Sequence, residues 1–150
     1  MSCADLAVTA VLWLAAATPG AATPAPLSPE PSAPAGAVAY EPLFADIVAR
    51  ATRLRGEAGA AEKNKPLPGD FAQRIKELSD LDMKGHVTLR ERGTDGDLKC
   101  ILKGISEDLP LKLQAVTAAS GNDRVQALQD LVYLLNDNVE VITSPPRPPV

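Results

Sequence analysis

Residues 86–103 read HVTLRERGTDGDLKCILK, and whether they form two strands or a helix decides the fold. With Gly93-Thr94-Asp95-Gly96 as a turn and Arg92 opposite Asp97, Val87 faces Leu102, Leu89 faces Cys100 and Glu91 faces Leu98, which makes one side almost wholly apolar. The other side carries His86, Thr88, Arg90, Arg92, Asp97, Lys99 and Lys103, with Ile101 its one apolar member. The competing reading follows the helical spacing of Leu98, Ile101, Leu102 and Ile105, but it leaves Val87 and Leu89 without a role. Alternation over both arms favours a hairpin with one dry and one wet face.

Helical patterns flank this segment. Pro42 suits a first helical turn, and Phe44, Ile47, Val48, Ala51 and Leu54 follow at spacings of three and four, which predicts a helix to about Ala61. After the break at Lys65-Pro-Leu-Pro-Gly69, Asp70 and Gln73 form a reciprocal capping pair for a second helix. Phe71, Ile75 and Leu78 are its core residues, its end falls near residues 79–82, and Gly85 closes the exit. Ser106 is read as the cap of a third helix that has Glu107, Asp108 and Pro110 in its first turn and Leu109, Leu113 and Val116 on its stripe, stopped by Gly121. Asn122 opens a fourth, with Val125, Leu128, Leu131, Val132 and Leu135. Val139–Thr143 reads as a short strand. The expected fold is therefore α+β, order ααββααβ, with about four helices on a small antiparallel sheet made of the hairpin at 86–103 and the strand at 139–143.

The ends have a different character. Leu6–Ala17 is a twelve-residue apolar run, signal-peptide length and short of the ~20 residues a spanning helix needs. Small residues then offer cleavage after Ala22 or after Ala17. The basic start usual for such leaders is missing, since residues 1–5 carry Asp5 instead. Seven prolines lie between Pro19 and Pro42 and four between Pro145 and Pro149. The expected organisation is a signal peptide at 1–22, a Pro/Ala-rich disordered linker at 23–42, one globular domain at 43–144 and a Pro-rich tail at 145–150. The protein is thus expected to be exported, to the periplasm or the extracellular space, with no stable membrane insertion after cleavage.

Charge and side-chain supply narrow the function. The chain has 19 acidic and 15 basic residues, a net charge of -4, and loss of the leader removes only Asp5 from that balance. A mildly acidic chain has no global attraction to nucleic acid. Removal of the leader also takes Trp13 and Cys3, leaving Tyr40, Phe44, Phe71 and Tyr133 as the aromatics and Cys100 as the cysteine, which is expected to be buried. His86 is the one histidine, and in the hairpin register it projects away from Cys100, which excludes a Cys/His dyad. One histidine and one cysteine cannot furnish a usual zinc site. No phosphate loop, dinucleotide fingerprint or Gly-x-Ser-x-Gly elbow appears, so no catalytic residue and no cofactor is expected.

Two binding readings remain. His86, Arg90, Arg92, Lys99 and Lys103 would form a basic patch on the wet sheet face, fit to dock an acidic protein segment. Residues 80–91, DLDMKGHVTLRE, resemble the calcium loop of EF-hand proteins: Asp80, Asp82 and Glu91 stand at the first, third and twelfth positions, with Gly85 at the sixth. That resemblance implies oxygen ligands from the three acids, a backbone carbonyl from His86 and a water-mediated place for Thr88. Lys84 stands at the fifth, ligand, position, and Gly93 and Gly96 interrupt the exiting helix, so a helix end, turn and first hairpin strand is preferred. The leading expectation is a small exported, non-enzymatic protein that acts through protein contacts; the alternative is a calcium-binding module.

Overall fold

The computed structural model describes residues 37–93 and 96–144. After a short 3-10 turn at Ala37–Tyr40 come four helices: α1, Pro42–Glu62; α2, Phe71–Arg92; α3, Gly96–Ala118; α4, Gly121–Thr143. Among the described residues there is no strand, so the α+β expectation is overturned and the fold is an all-helical bundle. The signal peptide, residues 23–36 of the linker and the Pro-rich tail lie outside the described residues.

The segment 86–103 read as a hairpin is in fact the end of α2 and the start of α3, with residues 94 and 95 of the expected turn outside the described residues. Gly93 takes the left-handed conformation, φ 67°, and its N–H bonds Arg90 O, so the glycine ends α2 where the earlier reading placed a β-turn. A longer helical period accounts for the residues. Ile75, Leu78, Asp82, Gly85 and Leu89 are all buried on α2, and Leu98, Leu102, Ile105 and Leu109 on α3, at spacings of three and four. Val87 is half-buried beside that stripe, which supplies its missing role. Gly85 does not close a helix. A Cβ there would lie 3.1 Å from Leu102 Cδ1 and 3.3 Å from Phe44 Cε1, so its bare backbone lets neighbouring side chains come in close. The expected strand at 139–143 is the last turn and a half of α4, with Asn138 and Ile142 continuing the stripe of Leu128, Leu131 and Leu135.

The helix ends differ in detail from the sequence reading. Asp70 precedes α2 but makes no side-chain capping bond; its carboxylate instead meets Arg74 Nε at 3.1 Å, and Gln73 donates to Glu77. At the far end of α1, Asn64 adopts φ 64°, Lys65 N–H bonds Ala60 O and Asn64 N–H bonds Ala61 O. Those two bonds satisfy the last carbonyls in the pattern of a helix-closing Schellman turn. Cys100, expected to be buried, is half-buried on α3.

Helix α1 packs on α2 and α4, and α3 packs on α2 and α4, so the four close a ring with α1–α3 and α2–α4 as its diagonals. Cross-helix pairs run in opposite order along α1 and α2 (Glu57 with Arg74, Arg50 with Glu77) and along α2 and α3 (Ser79 with Ser106, His86 with Lys99), which makes each pair antiparallel. Short connections fit this up-and-down arrangement. Phe44, Ile47, Leu54, Phe71, Leu102, Leu128 and Leu135 lie in one continuous core.

Ser106 is not a cap either. It lies inside α3, 4% exposed, four residues before Pro110. Pro110 has no N–H to give the Ser106 carbonyl, which would leave a buried acceptor unpaired. Ser79 of α2 fills the gap: its Oγ donates to Ser106 O at 2.7 Å. Ser79→Ala should therefore cost about 1–3 kcal/mol in the parent. In a Pro110→Ala background, where residue 110 regains its N–H, the same change should cost little. A urea-denaturation double-mutant cycle measures this; equal costs in both backgrounds would rule the compensation out.

Candidate functional site

The core of the bundle holds polar groups where apolar ones are expected. Among the described residues, Asp82, His86, Ser106 and Asn138 are the buried polar or charged side chains. His86 Nδ1 lies 2.7 Å from Lys99 O; because a carbonyl can only accept, Nδ1 carries the proton and the ring ties α2 to the first turn of α3. Asp82 and Asn138, both 0% exposed, project from diagonal helices and meet at the bundle axis, with Asn138 Nδ2 donating to Asp82 Oδ2 at 2.7 Å. The second oxygen of each, Asp82 Oδ1 and Asn138 Oδ1, is buried and has no hydrogen-bond partner. Burial raises the Asp82 carboxyl from 3.8 to about 8, with the Asn138 amide pulling weakly the other way.

The basic set does not share one sheet face. His86 and Arg90 lie one turn apart on α2, and Lys99 and Lys103 one turn apart on α3; the His86–Lys99 contact joins those two, while in the antiparallel register Arg90 and Lys103 lie one turn to either side of it. Arg92 is turned away and forms a double hydrogen bond with Glu41, at 2.8 and 2.7 Å, that holds the Glu41 carboxyl below its usual range. Lys103 is paired with Glu107 at 2.7 Å, and His86 is buried. The hairpin register that kept His86 and Cys100 apart does not exist.

The calcium-loop reading fails on geometry. Residues 80–91 are continuous helix, so Asp80 and Asp82 are turned about 200° from each other and Glu91 stands about 16 Å along the axis from Asp80. Asp80 is exposed and paired with Lys76, Asp82 is in the core, Thr88 is half-buried and Glu91 is exposed. Among the described residues no group of three His, Cys, Asp or Glu side chains is placed to hold a metal.

Two surface features complete the candidates. A small pocket between α1 and α2 is lined by Asp46, Ala49, Arg50, Arg53, Leu54 and Arg74. Its arginines are largely answered from within: Arg74 binds Glu57 through two nitrogens, at 2.9 and 2.6 Å, and Arg50 binds Asp46 and Glu77. An open groove between α1 and α4 is lined by Arg55, Glu62, Gln129, Val132, Tyr133 and Asn136. Arg55 donates to Asn136 Oδ1 across it. Tyr133 is 68% exposed and stands in this groove on the outer side of α4, opposite the core stripe.

Sequence reasoning treated Tyr133 only as one of few aromatics and passed over Asn138. The signal that could have found Asn138 is the 128, 131, 135, 138, 142 spacing, which continues a core stripe through a polar residue. Among the described residues no helix is long and apolar enough to cross a membrane. Compared with known protein families, with curated proteins and with solved structures, the chain matches none of them.

Proposed function

We propose that this chain is a small exported helical-bundle protein that acts by docking another protein on the α1–α4 groove around Tyr133. The observation that carries the reading is that aromatic ring, 68% exposed on a helix whose opposite face is locked into the core. A tyrosine presents a broad apolar face and a hydroxyl at low entropic cost, which is why such residues anchor protein contacts. Half-buried Val132 extends its apolar area, and Arg55, Glu62, Gln129 and Asn136 give the groove a polar rim able to fix the orientation of a partner. Export rests on the leader, whose apolar length and small-residue exit suit secretion better than anchoring. The basic set supports docking less well, because Arg92 and Lys103 are already paired within the chain.

The test places a photo-crosslinking residue at position 133 and, as a control, at exposed Thr117 on α3, in the full chain expressed in its native host. Crosslinking from 133 should give one adduct of defined mass that the control does not. Intact mass of the chain reports whether it begins at residue 18 or 23. Tyr133→Ala should lower recovery of that partner about tenfold or more, a loss of ~1.4 kcal/mol or greater. It should shift folding stability by no more than about 0.5 kcal/mol, because the ring is exposed. Identical adducts from 133 and 117, or undiminished recovery with Tyr133→Ala, would remove the groove from consideration.

A further inference from the structure

Four side-chain oxygen and nitrogen atoms of Asp82 on α2 and Asn138 on α4 meet in the core, and their pairing is half complete. Asn138 Nδ2 donates to Asp82 Oδ2, while Asp82 Oδ1 and Asn138 Oδ1 are both buried and both unpaired. Two acceptors cannot satisfy each other, but a single proton between them can. We infer that Asp82 is held in the folded bundle as the neutral acid, its Oδ1–H donating to Asn138 Oδ1 to close a reciprocal acid–amide ring, and that loss of this proton loosens the bundle at its centre.

The surroundings favour that state. On α1 the buried positions are apolar: Phe44, Ile47, Ala51, Leu54, Ala58 and Ala61. On α3 they are apolar except for Ser106, whose hydroxyl donates to Lys103 O, and on α4 Asn138 is the buried polar residue. The charged groups of these helices are turned outward. Asp46 and Arg50 pair on the α1 surface, Lys103 pairs with Glu107 on α3, and on α4 Glu140 is exposed and accepts from Asn136. Asp137 on α4 and Lys99 on α3 are half-buried, and the shift of Asp82 arises from burial and the Asn138 amide. On α2 itself Asp80 is paired with Lys76, Lys84 is exposed, and His86 is engaged with Lys99 O. Among the described residues no cation pairs with Asp82 to stabilise its ionised form, and a lone buried carboxylate is expensive.

Ionisation sends the proton to solvent and leaves two unpaired acceptors and a negative charge on the core axis. The sign of the pH effect follows. Unfolded Asp82 ionises near the ordinary carboxylate value, whereas the folded group keeps its proton into the neutral range, so the folded state binds more protons across that window. Stability is then greatest in acid and falls as pH rises. An exported protein of this design is tightened by acidification and loosened by mildly alkaline surroundings.

The experiment is equilibrium urea denaturation of the full chain between pH 5 and pH 8.5, with Asp82→Asn as the key variant. An amide at position 82 can donate to Asn138 Oδ1 and accept from Asn138 Nδ2, so it reproduces the closed ring without a titrating proton. The parent midpoint should fall steadily across the range, while that of Asp82→Asn should vary much less and lie above the parent at pH 8. The carboxyl 13C resonance of Asp82 in the folded parent gives a second readout and should stay at the neutral-acid position at pH 6. A pH-independent parent, an Asp82→Asn variant less stable than the parent at pH 8 or unfolded there, or an Asp82 resonance titrating at ordinary carboxylate pH would each overturn the inference.

Discussion

Replacing the buried acid–amide pair by one large and one small apolar residue, Asp82→Leu with Asn138→Ala, should give a bundle at least as stable as the parent, and about 1–4 kcal/mol more stable at pH 8. The paired substitution keeps the combined volume near that of the original side chains, which limits cavity and crowding costs. It also removes both buried orphan oxygens. Either change alone should behave differently. Asp82→Leu strands the Asn138 amide in the core at a cost of about 1–3 kcal/mol, and Asn138→Ala leaves Asp82 without its donor. The gain depends on pH with a definite sign. The Asp82 carboxyl is raised from 3.8 to about 8, so parent stability falls as pH rises between those values. The double variant lacks that slope, so the gap should be widest above pH 8 and narrowest near pH 4. Urea midpoints at pH 4.5, 6.5 and 8.5 measure it. A parent that outlasts the double variant at every pH would mean that the polar pair is a net stabiliser even when Asp82 is ionised.

That pair also explains which parts of the fold were legible in the sequence. Helix α1 and the first three turns of α4 were readable because their stripes are unbroken: Phe44, Ile47, Ala51 and Leu54 in one, Leu128, Leu131 and Leu135 in the other. The reading of α2 stopped after Leu78 because the next three core-facing residues are Asp82, Gly85 and His86, none of which carries an apolar signal. With the period lost, the accidental alternation of Val87, Leu89, Cys100 and Leu102 around two glycines imitated a hairpin. The reading of α4 stopped at Asn138 for the same reason, and Val139, Val141 and Ile142 then passed for a strand. Residues that place polar chemistry in a core erase the periodicity that would reveal the core. Asp82 was picked out as a candidate, but as a calcium ligand; its partner lies 56 residues away on a diagonal helix, a relation that no local spacing encodes.

The second large effect concerns Phe44, whose ring lies against the bare backbone of Gly85. Phe44 is 0% exposed, and Phe44→Ala should cost about 3–5 kcal/mol through lost burial and the cavity left behind. The more telling result is what this does to Gly85→Ala. In the parent, alanine in place of glycine within a helix is worth up to about 1 kcal/mol in propensity, but here its Cβ would come within 3.1 Å of Leu102 Cδ1 and 3.3 Å of Phe44 Cε1. Crowding of that kind opposes the gain, and Gly85→Ala should be destabilising. In Phe44→Ala the ring is gone, Leu102 has room to turn aside, and the added methyl occupies part of the vacated volume. The same substitution should then become stabilising, with a coupling of about 0.5–3 kcal/mol between the two sites. Urea denaturation of the parent, both single variants and the double variant at one pH gives the cycle. Additive effects would mean that α1 does not press on α2 at this glycine. A reversal in sign would show that Gly85 is kept bare to admit Phe44 one turn from the Asp82–Asn138 pair, so that this close approach and the buried proton site belong to the same stretch of α2.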